Sequence, residues 1–361
     1  MLYDSLHTLL AFAITITVIV FVHELGHYLV ARLAGIKVTD FSIGFGPKII
    51  SKKDSFGTTW KICWIPLGGY VKFLGDIDPT SSKSSSLKPE EKKYSFSEKN
   101  LFAKSLVVIA GPFANFLFGA IVFTTFFFMY GTLVSNTEIA SVTPNSPASH
   151  IDLRPGDNIV SIDGDKVKSF QEVASHIAIH PGIDIQITIE RDNVVLNKIV
   201  RPESAEMTDS IGKKTTIGRL GVMFAPPSHK KLSLLGSVSM SVEETIRICR
   251  LTLKALGQMI YRERNTQDLG GPIKIARYAG ASMEGGIASM VYFISLLSIN
   301  IGLVNLLPIP PLDGGHLFFY VTEALFGKKI SEFAKNYAIK VGFVLLFALM
   351  LLVIMNDIIY F

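Results

Sequence analysis

The sequence predicts a polytopic α-helical membrane protein: four transmembrane helices, a membrane-associated β-hairpin and an inserted soluble α+β module. Three observations predict it. Of 361 residues, 49% are hydrophobic and only 18% charged, against about 25% charged in an ordinary soluble protein, and mean hydropathy is +0.40. Four segments, at about 6–31, 105–133, 286–307 and 338–359, are apolar over lengths near or above the ~20 residues that span ~30 Å of hydrocarbon. Between the second and third, the pattern changes to short strand-like runs separated by Pro, Gly and Asp turns, as in a small globular module.

The first helix occupies residues 1–35. Thr8 to Val22 carry no charge, and His23-Glu24-Leu25-Gly26-His27 follows directly. The start lacks a basic cluster and a convincing small-residue cleavage site, so the segment is expected to be retained. Residues 36–104 contain two strand-like runs, 47–53 and 58–65, around a turn at 54–57, then Leu67-Gly68-Gly69-Tyr70 and a Ser-, Lys- and Glu-rich loop from Asp78 to Lys93. The second span, 105–133, opens with Gly111-Pro112-Phe113-Ala114-Asn115-Phe116; Gly111 and Gly119 suit close helix packing, and Asn115 is a candidate helix–helix hydrogen-bond donor. Residues 134–228 form the soluble module, with a helix at 170–179, a strand at 184–191, and Thr215 to Pro227 as a last strand or linker. In 229–285, Leu232 to Arg264 has helical periodicity with basic residues on one side, suiting the outer membrane surface or the face of the module. The third span, 286–310, runs into Leu312-Asp313-Gly314-Gly315-His316 and a loop to 337, and the fourth span is 338–361.

The H-E-x-x-H spacing carries the chemistry. Residues four apart share a helix face, so His23 and His27 can bind one metal ion, with Glu24 placed as a general base. Ionisable groups at membrane depth are costly and mark function. Two histidines leave a zinc site short of its usual three protein ligands. Asp313 is the best candidate for the third and His316 the competing one; otherwise His316 would pack there or orient Asp313. Pro308, Pro310 and Pro311 must end the third helix, and Gly314 and Gly315 are expected to allow backbone geometry closed to other residues. Broken backbone at this depth is tolerated where it lines a polar cavity.

Two resemblances extend this reading. The S-P-A, L-R-P-G-D and I-x-x-I-D-G pattern between Ser146 and Gly164 resembles a PDZ domain of bacterial membrane proteases. Such domains take a peptide as an added strand or limit access sterically. The HELGH and NLLPIPPLDGGH motifs flanking one PDZ-like module resemble the site-2 protease family of intramembrane zinc metalloproteases, bacterial RseP type, over almost the whole chain. That resemblance implies Zn2+ held by His23, His27 and Asp313, Glu24 as the catalytic carboxylate, and Asn305 in handling substrate or transition state. It implies cleavage within transmembrane segments of single-pass proteins, such as a trimmed anti-sigma factor or remnant signal peptides. Tandem PDZ domains of the best-known members are not matched, because a single copy is found here. Two other readings are a proteolytically inactive scaffold or chaperone binding transmembrane segments, which has no need of Glu24, and a metal transporter, which explains neither Glu24 nor the PDZ module.

Orientation follows from the basic residues. Thirteen lie between Arg32 and Lys104, and Lys328, Lys329, Lys335 and Lys340 lie between the last two spans, so both loops should face the cytoplasm. The PDZ domain is then expected to be extracytoplasmic with both termini outside, and the family resemblance implies a bacterial inner membrane. At ~1.5 Å per residue His23 is about 24 Å along its helix from His7, inside the bilayer toward the cytoplasmic face. The net charge of +5 and pI near 9.0 reflect this topology, with the lipid bilayer and not nucleic acid as partner. Cys63 and Cys249 are not expected to pair.

Overall fold

The computed structural model describes residues 2–75, 88–134, 137–167, 169–208, 214–225, 228–260 and 271–359. Residues 78–87 of the expected polar loop, Pro226, Pro227 and Gly270 lie outside them. The chain forms two units, Met1–Met129 with Ser233–Phe361, and Tyr130–Leu232.

The first unit begins with α1 (Leu2–Leu33), a 32-residue apolar helix. Its Thr15 hydroxyl is fully buried and donates to the Ala11 carbonyl at 2.8 Å, so the helix satisfies its own polar side chain. Next come β1 (Val38–Lys53) and β2 (Thr59–Phe73), antiparallel and much longer than the two runs expected from sequence. Both strands bend. Residues 40–43 pair with 59–62 on one side and with 69–72 on the other, while 48–53 pair with the outer side of 59–63. The ribbon is therefore four runs wide, with 69–73 and 48–53 as its edges. Phe41 and Ser42 are both fully buried, which removes the alternation that marks a half-exposed strand. The short α2 (Pro89–Lys92) precedes α3 (Leu101–Tyr130), a second span-length helix that continues through Pro112.

The second unit contains β3 (Thr132–Val134), β4 (Ile139–Val142), α4 (Pro147–His150), β5 (Asn158–Ile162), β6 (Asp165–Lys166), α5 (Phe170–Ala178), β7 (Ile185–Arg191), β8 (Val194–Val200), β9 (Glu203–Thr208), β10 (Lys214–Arg219), β11 (Val222–Phe224) and β12 (Ser228–Lys230). The order β6-β5-β7-β8 makes its largest sheet, and β3–β12, β4–β11 and β9–β10 are antiparallel pairs. Ser169 caps α5, its hydroxyl accepting the Glu172 N–H at 3.3 Å. Asp192 and Asn193 both have positive φ (49° and 61°), the two-residue turn suited to a twisted hairpin. Ile139, Ile159, Ile162, Val173, Ile185, Ile187 and Ile189 form a core closed to solvent. Thr215 to Ala225 therefore belongs to the module as strands, and this one unit accounts for a single PDZ-like domain.

Arg191 holds this unit's main buried ion pair. Its Nε and Nη2 donate to Asp157 at 2.6 and 2.7 Å, and the Arg154 backbone N–H adds a bond at 2.8 Å. Burial alone would push the Asp157 carboxyl up; the Arg191 guanidinium and the backbone N–H outweigh it and hold the group below the usual carboxylate range. Stability from this carboxylate is then complete above about pH 4 and lost as pH falls through its lowered value. Arg191→Met leaves a carboxylate that is 1% exposed without its partner and should cost about 3 kcal/mol near neutral pH. Hydrogen exchange of the β5 and β7 amides in the full-length protein measures this; unchanged protection would refute it.

The first unit resumes with α6 (Leu234–Ile260), α7 (Pro272–Glu284), α8 (Ile287–Asn305), α9 (Asp313–Phe326) and α10 (Glu332–Ile359). With α1 and α3, α8 and α10 are long and apolar enough to cross a membrane. α6, the helix expected from the periodicity of Leu232 to Arg264, runs along α3 and α8. Ser241 Oγ donates to the Ala120 carbonyl at 2.7 Å, Tyr292 Oη to Glu244 at 2.7 Å and Thr252 Oγ1 to Asn300 Oδ1 at 2.6 Å. Its polar stripe is thus matched by polar positions on its neighbours. Asp357 near the end of α10 accepts the Gly271 and Lys274 N–H groups, both at 3.1 Å, and so caps α7. Both cysteines are free.

Candidate active site

Glycines bring α1, α3 and α8 into close contact. A Cβ at Gly26 would run into the Ala110 carbonyl and lie 2.7 Å from Ala114 Cβ; at Gly119 it would lie 2.7 Å from Ile299 Cγ1, and at Gly302 3.0 Å from the Pro112 carbonyl. α3 is thereby pressed between the other two, with Gly111 directly beneath the imidazoles of α1. A Cβ there would overlap His27 Nε2 and lie 2.9 Å from His23 Cε1. The sequence marks Gly111 as a packing residue; the structure shows that what packs on it is the histidine pair.

α8 ends at Asn305, and the Pro-rich stretch leads to Asp313, the first residue of α9. Gly314 and Gly315 follow, and here the expectation is corrected. Neither has a positive φ. They are glycines because a Cβ would collide with backbone of the preceding loop, with Leu306 and Leu307 for Gly314 and, at 2.8 Å, with Pro310 N for Gly315. The loop folds back on the start of α9, and Asp313 is turned toward α1.

His23, His27 and Asp313 converge, their ligating atoms all within 4.8 Å of one another. His23 Nε2 and His27 Nε2 are 3.2 Å apart, and Asp313 Oδ2 lies 3.1 Å from the first and 3.5 Å from the second. That oxygen is buried and takes part in no well-formed hydrogen bond. His27 Nδ1 is 2.7 Å from the Val107 carbonyl. A carbonyl only accepts, so Nδ1 carries a proton, and Nε2 is the ring nitrogen turned toward Asp313. His23 Nδ1 is 3.3 Å from Asn115 Nδ2.

Glu24 borders the same cavity and faces the edge run 69–73, where its carboxylate accepts the Val71 backbone N–H. The edge run 69–73 passes very close: a Cβ on Gly69 would lie 3.0 Å from Val20 and 3.4 Å from Glu24 Cγ. All five predicted residues, His23, Glu24, His27, Asn305 and Asp313, line one cavity of about 290 Å³, with Tyr70, Val71 and Phe73. His316 lines it too, but stands outside the cluster of ligating atoms. Sequence reasoning missed the 69–73 edge and the Val107 carbonyl. The Gly68-Gly69 pair was a signal of close backbone approach, while a backbone carbonyl leaves no signal in sequence.

Residues 11–349 match the profile of peptidase family M50. The chain belongs to peptidase family M50. This is the site-2 protease family of the resemblance drawn from the HELGH and LDGGH motifs. A Mesorhizobium japonicum protein provisionally named a zinc metalloprotease is 40% identical, covering 98% of each chain. One from Agrobacterium fabrum, similarly named, is 38% identical over 96% of this M50 chain and 94% of its own. Metalloprotease MmpA of Caulobacter vibrioides is 30% identical over 97% and 94%. Among solved structures, the PDZ domain of an SdrC-like protein from Listeria innocua aligns with 27% of this chain and 97% of its own, at 25% identity and a TM-score of 0.20. This M50 member has four helices long and apolar enough to cross a membrane and one inserted α+β unit among its described residues, and its activity is that of a metalloprotease.

Proposed function

We propose that the protein is an intramembrane zinc metalloprotease that cuts within transmembrane segments of single-pass membrane proteins. The observation that carries this reading is the convergence of His23, His27 and Asp313 beside Glu24, on helices apolar enough to span a bilayer. The donor set fits zinc. Ligands at ~2.0–2.1 Å in a tetrahedron stand about 3.3 Å apart, and the three separations here are 3.1, 3.2 and 3.5 Å. The unpartnered Asp313 oxygen and the two imidazole Nε2 atoms are the atoms that would hold the ion. What zinc supplies in such a set is Lewis acidity toward a carbonyl and toward water.

The rest is the work of the chain's own residues. Glu24 takes the proton of the attacking water and passes it to the leaving amine. Asn305 donates to the substrate backbone or to the developing oxyanion. The edge run 69–73 takes up the substrate by strand addition. A transmembrane helix hides its peptide bonds in i to i−4 hydrogen bonds and must unwind locally before attack, and pairing with 69–73 offsets its lost hydrogen bonds. Substrates carrying Gly or Pro near the scissile bond should be cut several-fold faster than Leu-rich versions, because helix propensity differs by up to ~1 kcal/mol for Gly and ~3 for Pro. Slower cleavage of the destabilised helices would contradict this.

The basic loops support an inner-membrane placement with the site toward the cytoplasmic face and the PDZ domain extracytoplasmic. There the PDZ domain meets a peptide or protein ligand, and the substrate is a single-pass protein already trimmed by another protease, such as an anti-sigma factor, or a remnant signal peptide. The test is cleavage of a model single-pass substrate by the purified protein in bilayers. Chelation should abolish cleavage and added zinc restore it; chelator-resistant cleavage would reject the metalloprotease mechanism.

A further inference from the structure

We infer that Asn115 is a positioning residue for His23: its side-chain carbonyl accepts the His23 Nδ1–H and so fixes the tautomer in which His23 Nε2 can bind metal. The inference rests on the metal-site reading above. Asn115 lies in the middle of α3, fully buried, and faces α1. Its backbone is locked by the Ser298 hydroxyl, which donates to its carbonyl at 3.0 Å, and a Cβ at Gly302 of α8 would lie 3.2 Å from Asn115 Cβ. The side chain is therefore held against the imidazole from behind.

The two histidines are supported differently. His27 Nδ1 faces the Val107 carbonyl at 2.7 Å, a pure acceptor, and has only one tautomer available. His23 Nδ1 faces an amide, at 3.3 Å from Nδ2. With the amide nitrogen toward the ring, Nδ1 must accept, and the proton sits on Nε2, facing Asp313 Oδ2 at 3.1 Å. That tautomer cannot bind metal. Turned about its last side-chain torsion, Asn115 presents Oδ1, Nδ1 becomes the donor, and the Nε2 lone pair is freed. Oδ1 has no hydrogen-bond partner where it stands, so it breaks no bond in turning. The two ends of an amide have nearly the same shape, and the hydrogen-bond network decides between them. Histidine ligands generally have their second nitrogen bonded in this way, and loss of that partner weakens metal binding 10- to 100-fold.

The test uses full-length Glu24→Gln protein in detergent, with zinc affinity measured by chelator competition and the visible spectrum of the cobalt form as a signature of ligand geometry. Asn115→Leu, close in size but without an acceptor, should lower zinc affinity 10- to 100-fold and change the cobalt bands, with the metal-free unfolding temperature little altered. Asn115→Asp, which keeps an acceptor, should stay within about threefold of the parent. Unchanged affinity and spectrum in Asn115→Leu would overturn the inference, and so would a tenfold or larger loss of zinc affinity in Asn115→Asp, a result read against the parent alone and independent of whether the leucine variant folds. Asp313→Ala separates the two levels. A parent protein that binds zinc no better than Asp313→Ala overturns the metal site itself and the role of Asn115 with it, whereas strong parental binding with an indifferent Asn115 overturns the positioning role alone.

Discussion

Glu24→Gln should lower kcat by about 10²- to 10⁴-fold and leave bound zinc unchanged. The substitution is nearly isosteric, and the glutamine carbonyl still accepts the Val71 N–H that now goes to the carboxylate, so α1 and the 69–73 run stay where they are. Glu24 is not among the three converging ligand residues. What disappears is the carboxylate proposed to accept a proton from water and return it. Parallel measurements of zinc content and of single-turnover cleavage check this. Loss of zinc together with activity would show that Glu24 helps to hold the site, and cleavage at the parental rate would remove Glu24 from the mechanism.

A larger disturbance of the site is expected from a change with no polar chemistry at all. Gly111→Ala improves helix propensity by about 1 kcal/mol, and on that ground α3 should be more stable. Yet the new methyl would occupy the place of His27 Nε2 and stand 2.9 Å from His23 Cε1. Protein interiors are packed too densely to absorb this, and α3 cannot retreat because Gly119 and Gly302 press it against α8 with equally little space. The imidazoles must move, and a displacement of ~1 Å costs on the order of 10²-fold in rate. The expected phenotype is a protein that folds and reaches the membrane, holds substoichiometric zinc, and cleaves at least 10²-fold more slowly. Full zinc occupancy and normal cleavage would show that the contact between α1 and α3 has slack that the structure does not display.

The parts of this protein that sequence reveals are those in which one local physical rule dominates. Four apolar stretches longer than a bilayer is thick announce α1, α3, α8 and α10, although their ends shift by several residues because polar flanking residues extend the helices. The H-E-x-x-H spacing places three side chains on one helix without help from the rest of the fold. Asp313 is different. Its distance of some 290 residues from His23 is not readable from periodicity, His316 competes on chemical grounds, and the family resemblance favoured Asp313 before the geometry brought it beside the histidines. The β-ribbon was half legible. Residues 48–53 and 59–63 show strand character, but 38–43 is covered on both faces and loses its alternation, while 69–73 begins in a Gly-Gly pair that reads as a loop. The hairpin of β7 and β8 was missed on its second strand, although the Asp192-Asn193 turn residues are present. The contacts of α6 depend on which helices come to lie beside it, and its own sequence shows only that one side is polar.

The bent β-ribbon has one more consequence. Because Glu24 is tethered to the backbone of the edge run 69–73, the proton-transfer group and the proposed docking edge share one frame of reference. Strand pairing repeats every two residues, and a one-residue slip exchanges the faces. A substrate held on this edge therefore advances past Glu24 in dipeptide steps, like a rack on a toothed wheel. Alternative cuts in one substrate should be spaced two residues apart, and mass spectrometry of the released fragments would reveal that ladder.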